Sequence, residues 1–186
     1  MTGQRETDLA ERAALQVRQG EGARYDASNA PAEDLLLVRR GTAYLARELN
    51  NLSDAQLDGG SLVSGWSRRH VIADISYHAR AMAIALKGIR ETLTPEEANW
   101  EPDVELAATL PARALRHLYA HSVVHLNVEF RDLKKEDWDK TISLSEGDAI
   151  PIRTLPLLRG QKVWRGAFNL GNGTREADLP ERLREH

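Results

Sequence analysis

Across residues 31–49 the apolar positions Leu35, Leu36, Val38, Ala43, Tyr44 and Leu49 recur at steps of three and four, the period of a helix that buries one face. Ser67 is a suitable N-cap for a second helix over 68–93. There Val71, Ile75, His78, Met82, Ala85 and Ile89 share one stripe, so His78 is expected to look at least partly into a core. A third helix is predicted over 110–133, with Leu115, Leu118, Ser122, Leu126 and Phe130 inward and a second stripe of His117, His121 and His125 beside them. Helical spacing returns over 155–170 through Leu158, Val163, Trp164 and Phe168, until Gly171-Asn172-Gly173 stops it.

The connections carry their own signals. Residues 8–17 have helical spacing that Gly20 and Gly22 break, which reads as a leader helix or arm. Ser53 with Gln56 has capping-box spacing for a short turn, and Thr94, Pro95 and Glu97 restart a brief helix inside a long crossover. Two short strands over 141–145 and 149–153 flank Glu146-Gly147-Asp148. These elements predict a mainly α fold: a four-helix bundle with a long crossover and a small β-hairpin before the last main helix, departing from simple up-and-down order. The expected organisation is an arm over 1–30, a bundle domain over 31–180 and a tail over 181–186.

Composition narrows the function classes. A chain of 186 residues with 41% apolar content can build one sizeable core. Twenty-five basic against 28 acidic residues, interspersed for a net charge of -3, offer no bulk attraction to nucleic acid. No apolar run approaches the roughly 20 residues needed to span a bilayer, and the polar start lacks a signal-peptide core, so no membrane association and a cytoplasmic location are expected. Zero cysteines exclude disulfides, thiolate zinc sites and a cysteine nucleophile, so any thiol chemistry must come from a cofactor.

Longer motifs go further. Leu52-Ser53-Asp54-Ala55-Gln56-Leu57, followed by Ser61-Leu62-Val63-Ser64-Gly65-Trp66-Ser67-Arg68-Arg69-His70-Val71-Ile72-Ala73, resembles the most diagnostic segment of the mycothiol-dependent maleylpyruvate isomerase family. Asp137-Trp138-Asp139, the hairpin, and Val163-Trp164-Arg165-Gly166-Ala167-Phe168-Asn169-Leu170-Gly171 follow in the family's order and spacing. The resemblance implies a DinB-like bundle holding a divalent metal through one histidine on the second helix and a glutamate and histidine four apart on the last. Ligands four apart share a helix face, so this layout leaves open positions at the metal. Carried onto this chain, those positions are Asp74, Lys162 and Gly166. An ammonium and a missing side chain cannot serve as ligands, so a divalent metal is not expected at the family site. Asn169 stands where the family has an aspartate, and the C-terminal extension of fuller members is expected to be absent or reduced to a stub. The cofactor that the resemblance implies is mycothiol or another low-molecular-weight thiol.

Asp74 lies among Val71, Ile72, Ala73 and Ile75, where a carboxylate is either tuned as an acid or base or tied into an ion pair with Arg68, Lys162 or Arg165. His70, Asp74 and His78 share a face, but their first and last Cα atoms would be about 12 Å apart, too far to converge on one ion. His117 can partner Asp74 if their helices run parallel; otherwise the His117, His121, His125 stripe consists of core or boundary histidines hydrogen-bonded to backbone and to tyrosines such as Tyr77 and Tyr119. Lys162 and Arg165 can hold a substrate carboxylate, with His121 and Trp66 as further substrate contacts, although tryptophans at such positions are commonly packing residues. The expectation is a small-molecule enzyme, isomerase or thiol-transferase in type. It would act on a small anionic organic substrate by metal-free acid–base chemistry centred on Asp74, with His78 and His117 as catalytic partners. The alternative is a catalytically degenerate binding or accessory protein that keeps the bundle. A homodimer is compatible with either.

Overall fold

The computed structural model describes residues 26–144 and 149–184. The arm expected over 1–30 falls largely outside these residues, as does the centre of the hairpin turn. Four long helices dominate: α1 (Ala32–Asn50), α2 (Arg68–Gly88), α5 (Ala112–Asp132) and α6 (Leu155–Asn169), with the short α3 (Pro95–Ala98) and α4 (Val104–Ala108) between α2 and α5. No helix among the described residues is long and apolar enough to cross a membrane.

Contacts at the helix ends fix the directions. Arg69 donates to the Leu110 carbonyl at 2.7 Å near the start of α2 and α5, and Arg90 pairs with Glu129 near their ends, so these two helices are parallel. Arg116 near the start of α5 donates to the Leu49 and Leu52 carbonyls at 2.7 and 2.6 Å, which places α1 antiparallel to α5. Arg68 at the start of α2 donates to the Leu170 and Gly171 carbonyls at 2.7 and 3.1 Å, which places α6 antiparallel to α2. The bundle therefore runs up, down, down, up, and the crossover through α3 and α4 is what two consecutive parallel helices require. Arg116 and Arg68 also give donors to carbonyls that a helix C-terminus leaves without intrahelical partners.

Close packing of α1 on α6 depends on two small residues. A Cβ at Gly41 would lie 2.7 Å from the Trp164 indole nitrogen, and one at Gly160 would lie 2.8 Å from Leu37 Cδ2. Trp164 completes the contact by donating Nε1 to the Leu37 carbonyl at 3.1 Å. One apolar cluster, including Leu45, Leu57, Ile72, Leu115 and Val163, fills one end of the bundle. The other, including Leu35, Met82, Phe130, Trp138 and Leu155, fills the opposite end beneath the hairpin.

Several expectations are corrected in detail. The second helix stops at Gly88, five residues short of the expected 93, where Ile89 caps it through the Leu86 and Lys87 carbonyls and Leu93 packs near Gly88. The strands reduce to β1 (Thr141–Ile142) and β2 (Ile150–Pro151), paired antiparallel with Ile142 opposite Ile150. The crossover contains α4, capped by Asp103 accepting from the Leu106 amide at 2.8 Å, which the apolar pattern did not mark.

Candidate functional site

The small-residue contact between α2 and α6 brings the three positions 74, 162 and 166 together. Lys162 Nζ lies 2.6 Å from Asp74 Oδ2, with both side chains only about one-third exposed or less (33% and 27%). One turn on, a Cβ at Gly166 would sit 2.2 Å from Ile75 Cδ1, so the buried Ile75 occupies the space from which a longer side chain would start. Of the partners open to Asp74, the fold selects Lys162; Arg68 is engaged with the end of α6, and Arg165 pairs with Glu176 at 3.2 Å. A metal held by residues at these positions does not fit this arrangement, since an ammonium contacts the only carboxylate and Ile75 fills the third place. Among the described residues no three His, Asp or Glu side chains are grouped so as to hold a metal ion.

Beside this contact opens a cavity of about 610 Å³, walled by His78 and Met82 from α2 and by Leu158, Gln161, Lys162 and Arg165 from α6. Leu144 and the segment containing Leu179, Arg182, Leu183 and Arg184 close its other side. Four cations, Lys162, Arg165, Arg182 and Arg184, thus face a cavity whose lining, among the described residues, includes no carboxylate. Arg182 is paired outward with Asp34 at 2.7 Å, while Arg184 donates to the Leu179 and Ala177 carbonyls, each at 2.9 Å. The C-terminal segment reaches the cavity because 3₁₀ turns at Glu176–Asp178 and Glu181–Leu183 fold it back across α6. Sequence reasoning missed Arg182 and Arg184, since nothing in their spacing places them near α6.

His78 is the cavity's titratable wall. Burial first, then the charges of Arg159 and Lys162, push its pKa down to about 3, so the ring is neutral near pH 7. Arg159 Nη1 approaches His78 Nδ1 at 3.3 Å, and a guanidinium can only donate. Nδ1 is therefore the acceptor and Nε2 carries the ring proton.

The other expected residues lie elsewhere. His117 and His121 are exposed on the outer face of α5, stacked with ring centroids 6.3 Å apart, and His125 follows with Nε2 3.6 Å from Glu129. Although α2 and α5 are parallel, the pairing of Asp74 is made with α6 and His117 faces outward. Tyr77 packs edge-on against Trp100, and Tyr119 donates to the Thr42 carbonyl at 3.3 Å, so neither holds the histidine stripe. Trp66 lies just before α2 and stacks on His70, whose Cα is about 12 Å along the helix from that of His78, and it packs against the core. His70 serves its own helix start. Its Nδ1 receives the Ser67 amide at 3.2 Å and contacts the Ser67 hydroxyl at 2.7 Å, closing a capping box in the place a glutamate would take. The fold thus joins Asp74, His78, Lys162, Arg165 and Gly166, and separates His117, His121 and Trp66 from them.

Comparison with known proteins matches this architecture. Residues 38–159 match the family model described as the mycothiol maleylpyruvate isomerase N-terminal domain. That match includes Asp74 and ends before Lys162 and Gly166. Two solved structures are similar, the mycothiol-dependent maleylpyruvate isomerase and a mutant of it that carries alanine in place of a histidine. Each is 31% identical over 82% of this chain, with TM-scores of 0.71 and 0.72 respectively. The chain spans 65% of the length of those proteins. No curated protein matches the sequence. With its four-helix arrangement and two-thirds of its length inside these similarities, the chain belongs to the mycothiol maleylpyruvate isomerase family.

Proposed function

We propose that this protein is a small-molecule enzyme of the isomerase or thiol-transferase type that works in the cationic cavity on a small anionic organic substrate, without the family's metal. The observation that carries this reading is the Lys162–Asp74 pair at 2.6 Å beside a cavity of about 610 Å³ lined by four cations. That volume lies within the usual range for small-molecule sites.

Reversible addition of a nucleophile across a conjugated double bond permits rotation and thereby isomerisation. A chain with no cysteine cannot supply a thiolate, so an external thiol such as mycothiol would provide that nucleophile when bound. The cavity's cations fit such a group, because nearby positive charge favours a thiolate over a thiol. Lys162 and Arg165 would hold the substrate's carboxylates, with Arg182 and Arg184 closing over them. As a substrate carboxylate engages Lys162, Asp74 loses its counterion and becomes available to take a proton. Neutral His78, carrying its proton on Nε2, would donate a hydrogen bond to oxygen where negative charge develops.

The same ion pair also favours a second reading, a binding or accessory protein in which Asp74 and Lys162 simply neutralise each other. Turnover of maleylpyruvate with mycothiol decides between them, measured with and without chelator on the wild type and on Asp74→Asn. The enzyme reading expects turnover that survives chelator and falls about a hundredfold in Asp74→Asn. Turnover that depends on added zinc overturns the metal-free mechanism. Substrate binding without turnover establishes the accessory reading.

A further inference from the structure

Arg159, on α6, is 1% exposed and lies in the middle of the bundle. Its Nη1 is used by the Ile75 carbonyl at 2.8 Å and by His78, but Nη2 is buried with no hydrogen-bond partner among the described residues. Nor does any carboxylate among those residues form an ion pair with it. A buried guanidinium in direct contact with no carboxylate, and with one nitrogen unpartnered, is costly.

Arg159 also lines a second cavity, of about 320 Å³, which shares no lining residue with the first and opens between α1 and α5. Val38, Ala43, Val123 and Phe130 make its walls apolar, while Arg39 and Asn127 mark a polar rim. Arg39 is not the cation on offer, because Asp26 already engages it at 2.7 and 2.6 Å. The cleft thus combines an apolar shaft with one positive charge that no carboxylate among the described residues pairs directly and whose Nη2 lacks a partner, the complement of a molecule with a hydrocarbon body and a single anionic end.

We propose that the α1–α5 cleft is a separate binding site for a monocarboxylate with a compact apolar body, its carboxylate accepting from Arg159 Nη2 and its body lying between Val38, Ala43, Val123 and Phe130. At about 30 Å³ per small group, the volume accommodates roughly ten non-hydrogen atoms, the size of a medium-chain fatty acid or an aromatic acid. A dicarboxylate would leave its second charge among apolar walls and is excluded on that ground.

Octanoate is a suitable probe, with 1-octanol and octylammonium as controls of equal body, each titrated by calorimetry and by amide chemical shifts. The expected result is saturable, stoichiometric octanoate binding, about ten- to hundredfold tighter than either control, with shifts concentrated on α1 and α5. Arg159→Met should abolish the preference for the anion. Ala43→Trp, at a wall position that is solvent-exposed, should fill the cleft and block binding while leaving the core and Arg159 in place, so the test stands even where Arg159→Met fails to fold. Octanoate must also bind unchanged to Lys162→Gln/Arg165→Gln, which separates this cleft from the cationic cavity. Equal affinity for octanol, binding that survives Ala43→Trp, or loss of binding in the Lys162/Arg165 variant would each overturn the proposal.

Discussion

Arg159 Nη1 lies 3.3 Å from His78 Nδ1, which sets a buried cation against the one histidine that faces the larger cavity. Burial, reinforced by this contact, keeps that imidazole neutral over the pH range in which most histidines change charge, and the contact directs its proton to the other ring nitrogen.

A stability prediction follows from the depressed pKa of His78, about 3 in the folded protein against 6.5 for the unperturbed group. Between these values the unfolded chain binds a proton that the folded one does not, so this contribution is complete above pH 6.5 and is lost as pH falls toward 3. Chemical denaturation at a series of pH values should show stability falling with acidification over that window. In His78→Gln the dependence should be shallower by about one proton relative to wild type. An unchanged slope would mean that His78 is protonated in the fold.

Gly166 makes a coupled prediction with Ile75. Adding a Cβ at 166 should destabilise by about 1–3 kcal/mol through collision with Ile75 Cδ1, despite alanine's higher helix propensity. In an Ile75→Val background, which removes Cδ1 but leaves Cγ1 2.9 Å from the added Cβ, the cost of Gly166→Ala should shrink without vanishing. Urea denaturation of the four proteins in this cycle measures the coupling directly.

Lys162 should act on binding more than on chemistry. Lys162→Met is expected to raise KM for an anionic substrate about tenfold or more, and added salt should weaken substrate binding less in this variant than in wild type. A kcat effect larger than the KM effect would instead place Lys162 among groups that act only in the transition state.

Arg68 ties the start of α2 to the end of α6 through the Leu170 and Gly171 carbonyls, and to the preceding turn through that of Gln56. Arg68→Met should cost roughly 1–3 kcal/mol in equilibrium unfolding, since the partly buried carbonyls lose their donor. Arg68→Lys should recover only part, because an ammonium cannot span three carbonyls in the geometry of a guanidinium.

Where the sequence spoke clearly, it did so through periodicity and local chemistry. The four long helices, the Thr94–Glu97 cap and the hairpin before α6 each follow from spacing and side-chain type, which act over a few residues. The α4 turn was illegible because its five residues are too short to show a period. His78 was legible as inward-facing, since its stripe mates are apolar; His117 and His121 were not legible as exposed, since a histidine stripe beside an apolar one fits a boundary as well as a surface.

The sequence alone determined that the chain is mainly helical and lacks a cysteine nucleophile. The tertiary structure alone decided that Asp74 meets Lys162, that Ile75 fills the space beside Gly166, that Arg182 and Arg184 fold back onto the cavity, and that Arg159 is buried with its Nη2 unpartnered among the described residues. Periodicity fixes which face of a helix turns inward, because it is a property of one segment. Which residue on a neighbouring helix meets that face depends on register, direction and the small residues that let two backbones approach, and those belong to the packed bundle.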